Sequence, residues 1–482
     1  MELIRNPPRY VLTSILCSCG GLLFGMDTGI IGPVTVMKTF TSQFGSQSAT
    51  VHGLLVSSIL IPAALSSFFA GYLADKLGRP KGISIGALIF SLGAALEAAA
   101  FHISMFVVGS YICEISPTSI RGALSTGPQL LITLGLVVGF FTCYGTARIE
   151  NSFSWRIPFL ILACLSAAFS VAAWMWLVPS PRWLTVHGRR SEATAAWDLL
   201  GVSHAEREKV EIEQDRSTNL CSQNAREDRA SVERMGSATR QHVKSTKDKL
   251  LDIFSKDVRA RTAIAVFLMG MQQLSGIDGY APLLFEQAGL ASADASFFAS
   301  GVSAILIFAV TIPALIWADK WGRRHSIIYG GIGLSATMFL MGALYAGNVV
   351  HSSSGAGRWV VIVSIYLFAV IFSLSWAVGI KVYAAEIQPQ RTRASATSLA
   401  HGSNWVTNFL VALTTPILLS KSSFAAYFLF GGCSLVTVFF CAFIMPETKG
   451  RSLDEIEEAF KSKSLGSQTL AKVLRPLSRV DS

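Results

Sequence analysis

The sequence predicts an all-α membrane protein built from two related hydrophobic halves. Three observations carry this. Of the 482 residues, 51% are hydrophobic and only 15% charged. Apolar runs of about 20 residues recur along the chain, each long enough to cross the roughly 30 Å hydrocarbon core as a helix. Two polar signatures each occur twice, once per half. No water inside a bilayer satisfies backbone polar groups, so helices are the expected spanning form for such runs.

Eleven runs meet the length requirement: 11–32, 53–73, 83–101, 127–145, 157–178, 264–286, 297–317, 326–346, 359–385, 398–418 and 423–444. A short twelfth run lies at 104–113. The first run is read as a working helix, not a secretory signal: no small-residue cleavage site follows it, and polar and glycine positions interrupt it. The expected organisation is a first helix bundle over 1–184, a connector over 185–262, a second bundle over 263–445 and a tail over 446–482. The connector is polar and mixed in charge, as in "HAEREKVEIEQDR", and reads as a solvated, partly helical link.

The net charge of +10 is not a nucleic-acid signal. The basic residues sit in alternate loops: Lys76, Arg79 and Lys81; Arg121; the connector; Lys320, Arg323 and Arg324; Arg391 and Arg393. The intervening loops carry few, such as Lys38, Arg148 and Lys421. That asymmetry places the basic loops and both termini on the cytoplasmic side. The eight cysteines are scattered, mostly within apolar runs, and read as small packing residues. No metal site, cofactor or nucleic-acid partner is expected. Neither is an enzyme, since the polar regions hold no nucleophile–base set and no phosphate loop.

The halves repeat. "GYLADKLGRPKG" (71–82) matches "WADKWGRRHS" (317–326), and "EISPTSIRG" (114–122) matches "EIQPQRTRA" (386–394). Two D-x-x-G-R turns, each followed by E-x-x-P-x-x-x-R, fit rigid halves that rock about a central site. The charges of these turns, Asp75, Arg79, Glu114 and Arg121 in one half and Asp319, Arg323, Arg324, Glu386 and Arg393 in the other, are expected to pair across helix ends and latch a gate. The repeat is also a ruler. Asp319 to Glu386 spans 67 residues, but Asp75 to Glu114 only 39. The longer loop at 347–358 accounts for about ten of the difference; the remaining 15–20 or so amount to nearly one spanning helix. The remnant 104–113 would reach only about 15 Å. Most of a fourth helix is missing from the first half.

These motifs resemble the sugar-porter family of the major facilitator superfamily, in its fungal form. The resemblance rests on "GGLLFGMDTGIIGP" (20–33), both D-x-x-G-R turns, "PSPRWL" (179–184), "QQLSGID" (272–278), "NW" (404–405) and "PETKGRSLDEIE" (446–457). It implies the major facilitator fold, two six-helix bundles with a substrate site between them at mid-membrane. The sequence also departs from the family. Gly109 is followed by Ser110 and Tyr111, where an Arg and a glycine-rich run are usual. "SGIDGYAPLLF" is about three residues short, Pro179 stands where a Glu is usual, and Ile307 replaces a polar Asn.

The resemblance implies roles for individual residues. Gln129, Gln272, Gln273, Asn404 and Trp405 match sugar-binding positions. A buried amide in lipid must be bonded, and each Gln offers two donors and an acceptor to sugar hydroxyls. The alternative for the paired glutamines is interhelical glue. Trp405 either stacks a sugar or simply packs. Asp278 stands where an Asn is usual. In "WAVGIK", Trp376 keeps the family's Trp, Ala377-Val378 replace Gly-Pro and soften the usual break, and Lys381 replaces a second Trp. Lys381 either snorkels to the cytoplasmic interface or contacts an acidic substrate. Asp27, mid-helix in "FGMDTG", is the candidate for proton coupling; its alternative is a hydrogen-bonded structural role.

The expected function is secondary transport of a monosaccharide or related polyol, by proton symport in the intact form, across the plasma membrane. The competing readings are transport of an organic acid, a quinate-like compound or a secondary metabolite; a nutrient sensor, which the short tail after Gly450 disfavours; and a truncated product that transports nothing.

Overall fold

The computed structural model describes residues 9–450 apart from 46–47, 49–50, 52, 55–56, 58–59, 67–76, 107, 109–126, 187, 202–206, 208–251, 256–257, 277–283, 286, 291–292, 318–319, 351–354 and 390–391. Among the described residues every regular element is a helix. In the first half these are α1 (Arg9–Thr35), α2 (Lys38–Phe44), α3 (Arg79–Ala98), α4 (Gly127–Thr146) and α5 (Phe153–Trp176). The passage from the first half into the connector forms α6 (Pro181–Val186), and the connector contributes α7 (Arg190–Leu200) and a 3₁₀ turn at Asp252–Phe254. The second half holds α8 (Arg259–Gln273), α9 (Ala293–Trp317), α10 (Arg323–Ala346), α11 (Ala356–Leu374), α12 (Trp376–Glu386), α13 (Arg393–Lys421) and α14 (Ala425–Ile444). Eight spans among the described residues are long and apolar enough to cross a membrane.

The sequence repeat becomes a repeat of helix pairs. In the first half α1 packs along α4 and α3 along α5; in the second α8 packs along α13 and α10 along α14. The two members of the first class are built differently. On α1 and α4 the backbones touch: a side-chain carbon added at Gly25 or Gly29 would overlap the Ile132 or Leu136 carbonyl, and one at Gly135 or Gly139 would overlap the Leu22 or Met26 carbonyl. Small residues four apart on both helices permit that approach. On α8 the corresponding Gly270 faces the Thr407 hydroxyl, 3.2 Å from where its side-chain carbon would sit. Hydroxyl-to-carbonyl bonds seal α3 against α5: Ser84 to Ser170 at 2.7 Å, Ser91 to Ala163 at 2.8 Å and Ser166 to Ala87 at 2.7 Å.

Two predicted runs are interrupted. The run 264–286 is helical only to Gln273 on its first stretch. There the Ser275 hydroxyl bonds the Gln272 carbonyl at 2.6 Å and the Gly276 amide bonds the Gln273 carbonyl at 3.3 Å, which turns the chain out of the helix. The run 359–385 breaks at Ser375, whose φ of −118° and ψ of −66° separate α11 from α12. No proline is present, and the break is one residue wide.

The short twelfth run is helical at 103–106. Phe106 is fully buried among Phe40, Trp155 and Phe159, with ring centroids 5.4–6.4 Å away. Arg156 donates to the Ala98 and Ala100 carbonyls at 2.5 and 2.9 Å and so caps α3. Residues 99–126, 28 in number, separate α3 from α4, whereas 347–392, 46 in number, separate α10 from α13.

Candidate functional site

The polar centre lies where α8 meets α13 and the start of α12. Asn404 donates to the Met269 carbonyl at 2.8 Å and to Gln272 Oε1 at 3.2 Å. The Gln272 amide donates to the Trp376 carbonyl at 2.7 Å. The Gln273 amide donates to Asn404 Oδ1 at 3.2 Å. Gln272 and Asn404 are buried and Gln273 half-buried. The first two therefore serve as interhelical glue in this arrangement, and Gln273 is the member presented outward. Trp376 is fully buried; its indole N–H donates to the Ile327 carbonyl at 2.9 Å, which directs the ring toward α10. Trp405 meets Phe24 of the opposite half edge-on, with centroids 5.6 Å apart.

Lys381 on α12 lies five residues before the helix ends at Glu386. Its ammonium donates to Gln129 Oε1 on α4 at 3.1 Å, bridging the two halves. Asp27 is buried on α1. In the repeat, Gly25-Met26-Asp27 matches Gly270-Met271-Gln272, so Asp27 holds the place on α1 that Gln272 holds on α8.

A second cluster ties the ends of the second half together. Arg323 and Glu386 form an ion pair at 3.0 Å, and the Thr448 hydroxyl donates to the other Glu386 oxygen at 2.8 Å. Glu447 accepts from the Arg324 amide at 3.1 Å, at the N-terminus of α10, and from the Thr448 and Lys449 amides at 3.1 and 3.2 Å. Burial alone would raise the Glu447 carboxyl, but these amides and a 3.3 Å contact with His325 outweigh it and hold the pKa below the usual carboxylate range. Arg324 donates to the Ala442 carbonyl at 2.5 Å, and Arg393 reaches the Gln388 carbonyl at 3.4 Å. Glu447 and Thr448 were legible only as part of the quoted "PETKG"; nothing in the spacing showed that they close on α10 and Glu386. Arg79 begins α3. Asp75, Glu114, Arg121, Asp278 and Asp319 lie outside the described residues.

At the end of the bundle away from the connector the halves touch through aromatic side chains. Gly301 of α9 lies under the rings of Phe140 and Phe141 on α4, and Tyr144 meets Phe298 with centroids 6.3 Å apart.

A profile of the family described as "Sugar (and other) transporter" matches residues 13–460. The chain belongs to this family. It is 31% identical to Hexose transporter 2 of Kluyveromyces lactis over 96% of its own length and 85% of the relative's. It is 30% identical to the galactose transporter of Saccharomyces cerevisiae over 96% and 83%. Both matches extend over 500 positions or more, exceeding the 482 residues of this chain, so the relatives carry residues inside the match that have no counterpart here. The proton:xylose symporter XylE bound to 6-bromo-6-deoxy-D-glucose superposes with a TM-score of 0.71 at 23% identity, covering 94% of this chain and 99% of that one. An inward-open form of XylE from E. coli gives 0.67 at 21%, covering 93% and 99%. At these identities the superpositions establish the major facilitator fold. The chain is thus a multi-pass membrane transporter of the sugar-porter type.

Proposed function

We propose that the chain moves a monosaccharide or related polyol across the plasma membrane by proton symport, with the connector and both termini in the cytoplasm. The observation that carries the reading is the polar set Gln273–Asn404–Gln272 embedded in otherwise apolar helices. Gln273 and Gln129 are the half-buried amides that would meet sugar hydroxyls, with Asn404 holding Gln273 and Lys381 holding Gln129. Trp405 closes the apolar side. Asp278 belongs to the same segment as the glutamines. Asp27, buried on α1 within a span, is the proton-carrying group. Glu386, Arg323 and Arg324, with Thr448 and Glu447, hold the cytoplasmic end of the second half; Asp75, Arg79, Glu114, Arg121, Asp319 and Arg393 complete that gate. The aromatic contact of Phe140, Phe141 and Tyr144 with α9 closes the opposite, outer end. Relatives named for hexoses and galactose, and a structural neighbour that is a proton:xylose symporter, support this assignment.

The test is labelled glucose uptake in yeast cells stripped of their own hexose carriers. Cells express either this chain or one lengthened by a spanning segment of about 18 residues after Gly109. Uptake by the lengthened chain that rises on external acidification is expected. No hexose or polyol uptake by either chain at matched surface expression would overturn the reading.

A further inference from the structure

We propose that Lys381 and Gln129 form an anion-recognising subsite and that this transporter takes carboxylate-bearing polyols, such as sugar acids. The inference deepens the transporter assignment and rests on it.

The face of α12 decides what Lys381 looks at. Trp376, Ile380, Tyr383 and Ala384 are buried in a cluster formed by helices of the second half alone. Ala377, Lys381 and Ala385 recur every fourth residue on another stripe and are half-buried. Lys381 is therefore the one long side chain on a stripe otherwise made of alanine, and it meets the opposite half. An ionisable group within a span is costly and belongs on substrate pathways by default. Packing does not require it there, since alanine fills the flanking positions.

One of its partners is equally informative. Gln129 presents a neutral amide oxygen to an ammonium. A carboxylate makes the stronger, charge-assisted bond to the same group. A substrate carboxylate that takes the ammonium releases Gln129, whose amide then offers both donors and an acceptor to a neighbouring hydroxyl. Cation and amide side by side match a carboxylate with a hydroxyl on the next carbon. The bridge also joins the halves, so the carboxylate would replace a contact between them as it binds. Transport requires the halves to separate at that end, and a substrate that substitutes for the bridge lowers the cost of separation.

D-gluconate and D-glucitol test this, because they share one hydroxylated chain and differ at a single carbon, carboxylate against CH₂OH. Their affinities are measured on the purified full-length chain in detergent micelles, with D-glucose alongside. Gluconate should bind about tenfold more tightly than glucitol, the gain of one charge-assisted bond over a neutral one. Lys381→Met should bring the ratio close to one and Lys381→Arg should preserve it, wherever glucose itself moves. Equal affinities in the native chain, or a ratio that survives Lys381→Met, would overturn the subsite. The native comparison decides the matter alone if Lys381→Met does not fold. Binding of glucose without gluconate sinks the subsite and leaves the sugar-transport reading standing. Binding of none of the three also sinks the subsite, and uptake by the lengthened chain then decides the sugar-transport reading.

Discussion

Gly78 and Gly322 fill the same place in the two D-x-x-G-R turns, yet different constraints hold them. Gly78 has φ of +79°, a backbone that side chains resist, and the ring of Trp183 lies 3.5 Å from where its side-chain carbon would be. Gly322 has an ordinary φ of −61°, but the Glu447 carboxylate stands 2.6 Å from its missing side-chain carbon. Gly322→Ala should therefore displace Glu447 from the Arg324 amide and cost about 1–2 kcal/mol, read as a lower melting temperature. The Glu447 pKa lies below its unfolded value, so its contribution is complete above the ordinary carboxylate range, near pH 4.5, and fades as pH falls through the lower folded value. Glu447→Gln should lower the melting temperature at pH 7 and narrow its difference from pH 4; an unchanged difference would remove this carboxylate from the account. Gln272 and Gln273 should also part company. Gln272→Ala removes a bond to Asn404 and one to the Trp376 carbonyl and should destabilise by roughly 0.5–2 kcal/mol, whereas Gln273→Ala removes one bond to Asn404 and should weaken ligand binding with a smaller change in melting. The sequence placed Gln272, Gln273 and Asn404 in apolar helices. It did not tell binding from glue, because that depends on which backbone carbonyls the neighbouring helices present.

At the scale of elements, the hydropathy of several runs located their helices to within a few residues, as 326–346 became α10 and 423–444 became α14; the runs 53–73 and 104–113 lie partly outside the described residues. Interruptions were harder to read. Ser275-Gly276 and Ser375 turn or break helices through local side-chain and backbone bonds inside apolar runs, where hydropathy does not change. The seam between α1 and α4 was visible as Gly25-x-x-x-Gly29 and Gly135-x-x-x-Gly139, but glycine spacing gains meaning only when the partner helix is known. At this seam the obstructing atoms are backbone, so no rotamer change relieves an added side chain. Gly135→Val should drive the helices apart and cost about 1–3 kcal/mol or prevent folding. Gly432→Val, at a position where nothing lies within 4 Å of an added side-chain carbon, is the matched control and should shift melting far less. Equal thermal shifts for the two variants in detergent would contradict the backbone seam.

For the whole molecule the question is what the first half lacks. Its α1–α4 and α3–α5 pairs reproduce α8–α13 and α10–α14, so four helices of the two bundles correspond. In the second half the span Ala356–Glu386 packs against α8, α9 and α10 and receives the amide of Gln272. Its counterpart in the first half has 28 residues in which to cross, turn and begin α4. At 1.5 Å per residue a full crossing needs about 20 of them, and the return loop with its E-x-x-P-x-x-x-R signature takes most of the remainder. The described part, 103–106, is fixed by Phe106 at the end where α3 finishes. A chain so short must thin the bilayer around it or leave neighbouring helix faces against lipid, each at a cost. Asp27 sits where the repeat places Gln272, the residue that bonds this span in the second half. Inserting a spanning segment of about 18 residues after Gly109 should therefore raise surface expression and melting temperature and bring proton-linked uptake well above that of the native chain. Substituting Asp27→Asn in the lengthened chain should abolish the dependence on external pH while leaving sugar exchange across the membrane. Equal, robust, proton-linked uptake by the native and lengthened chains would show that the first half works without the segment its partner half uses.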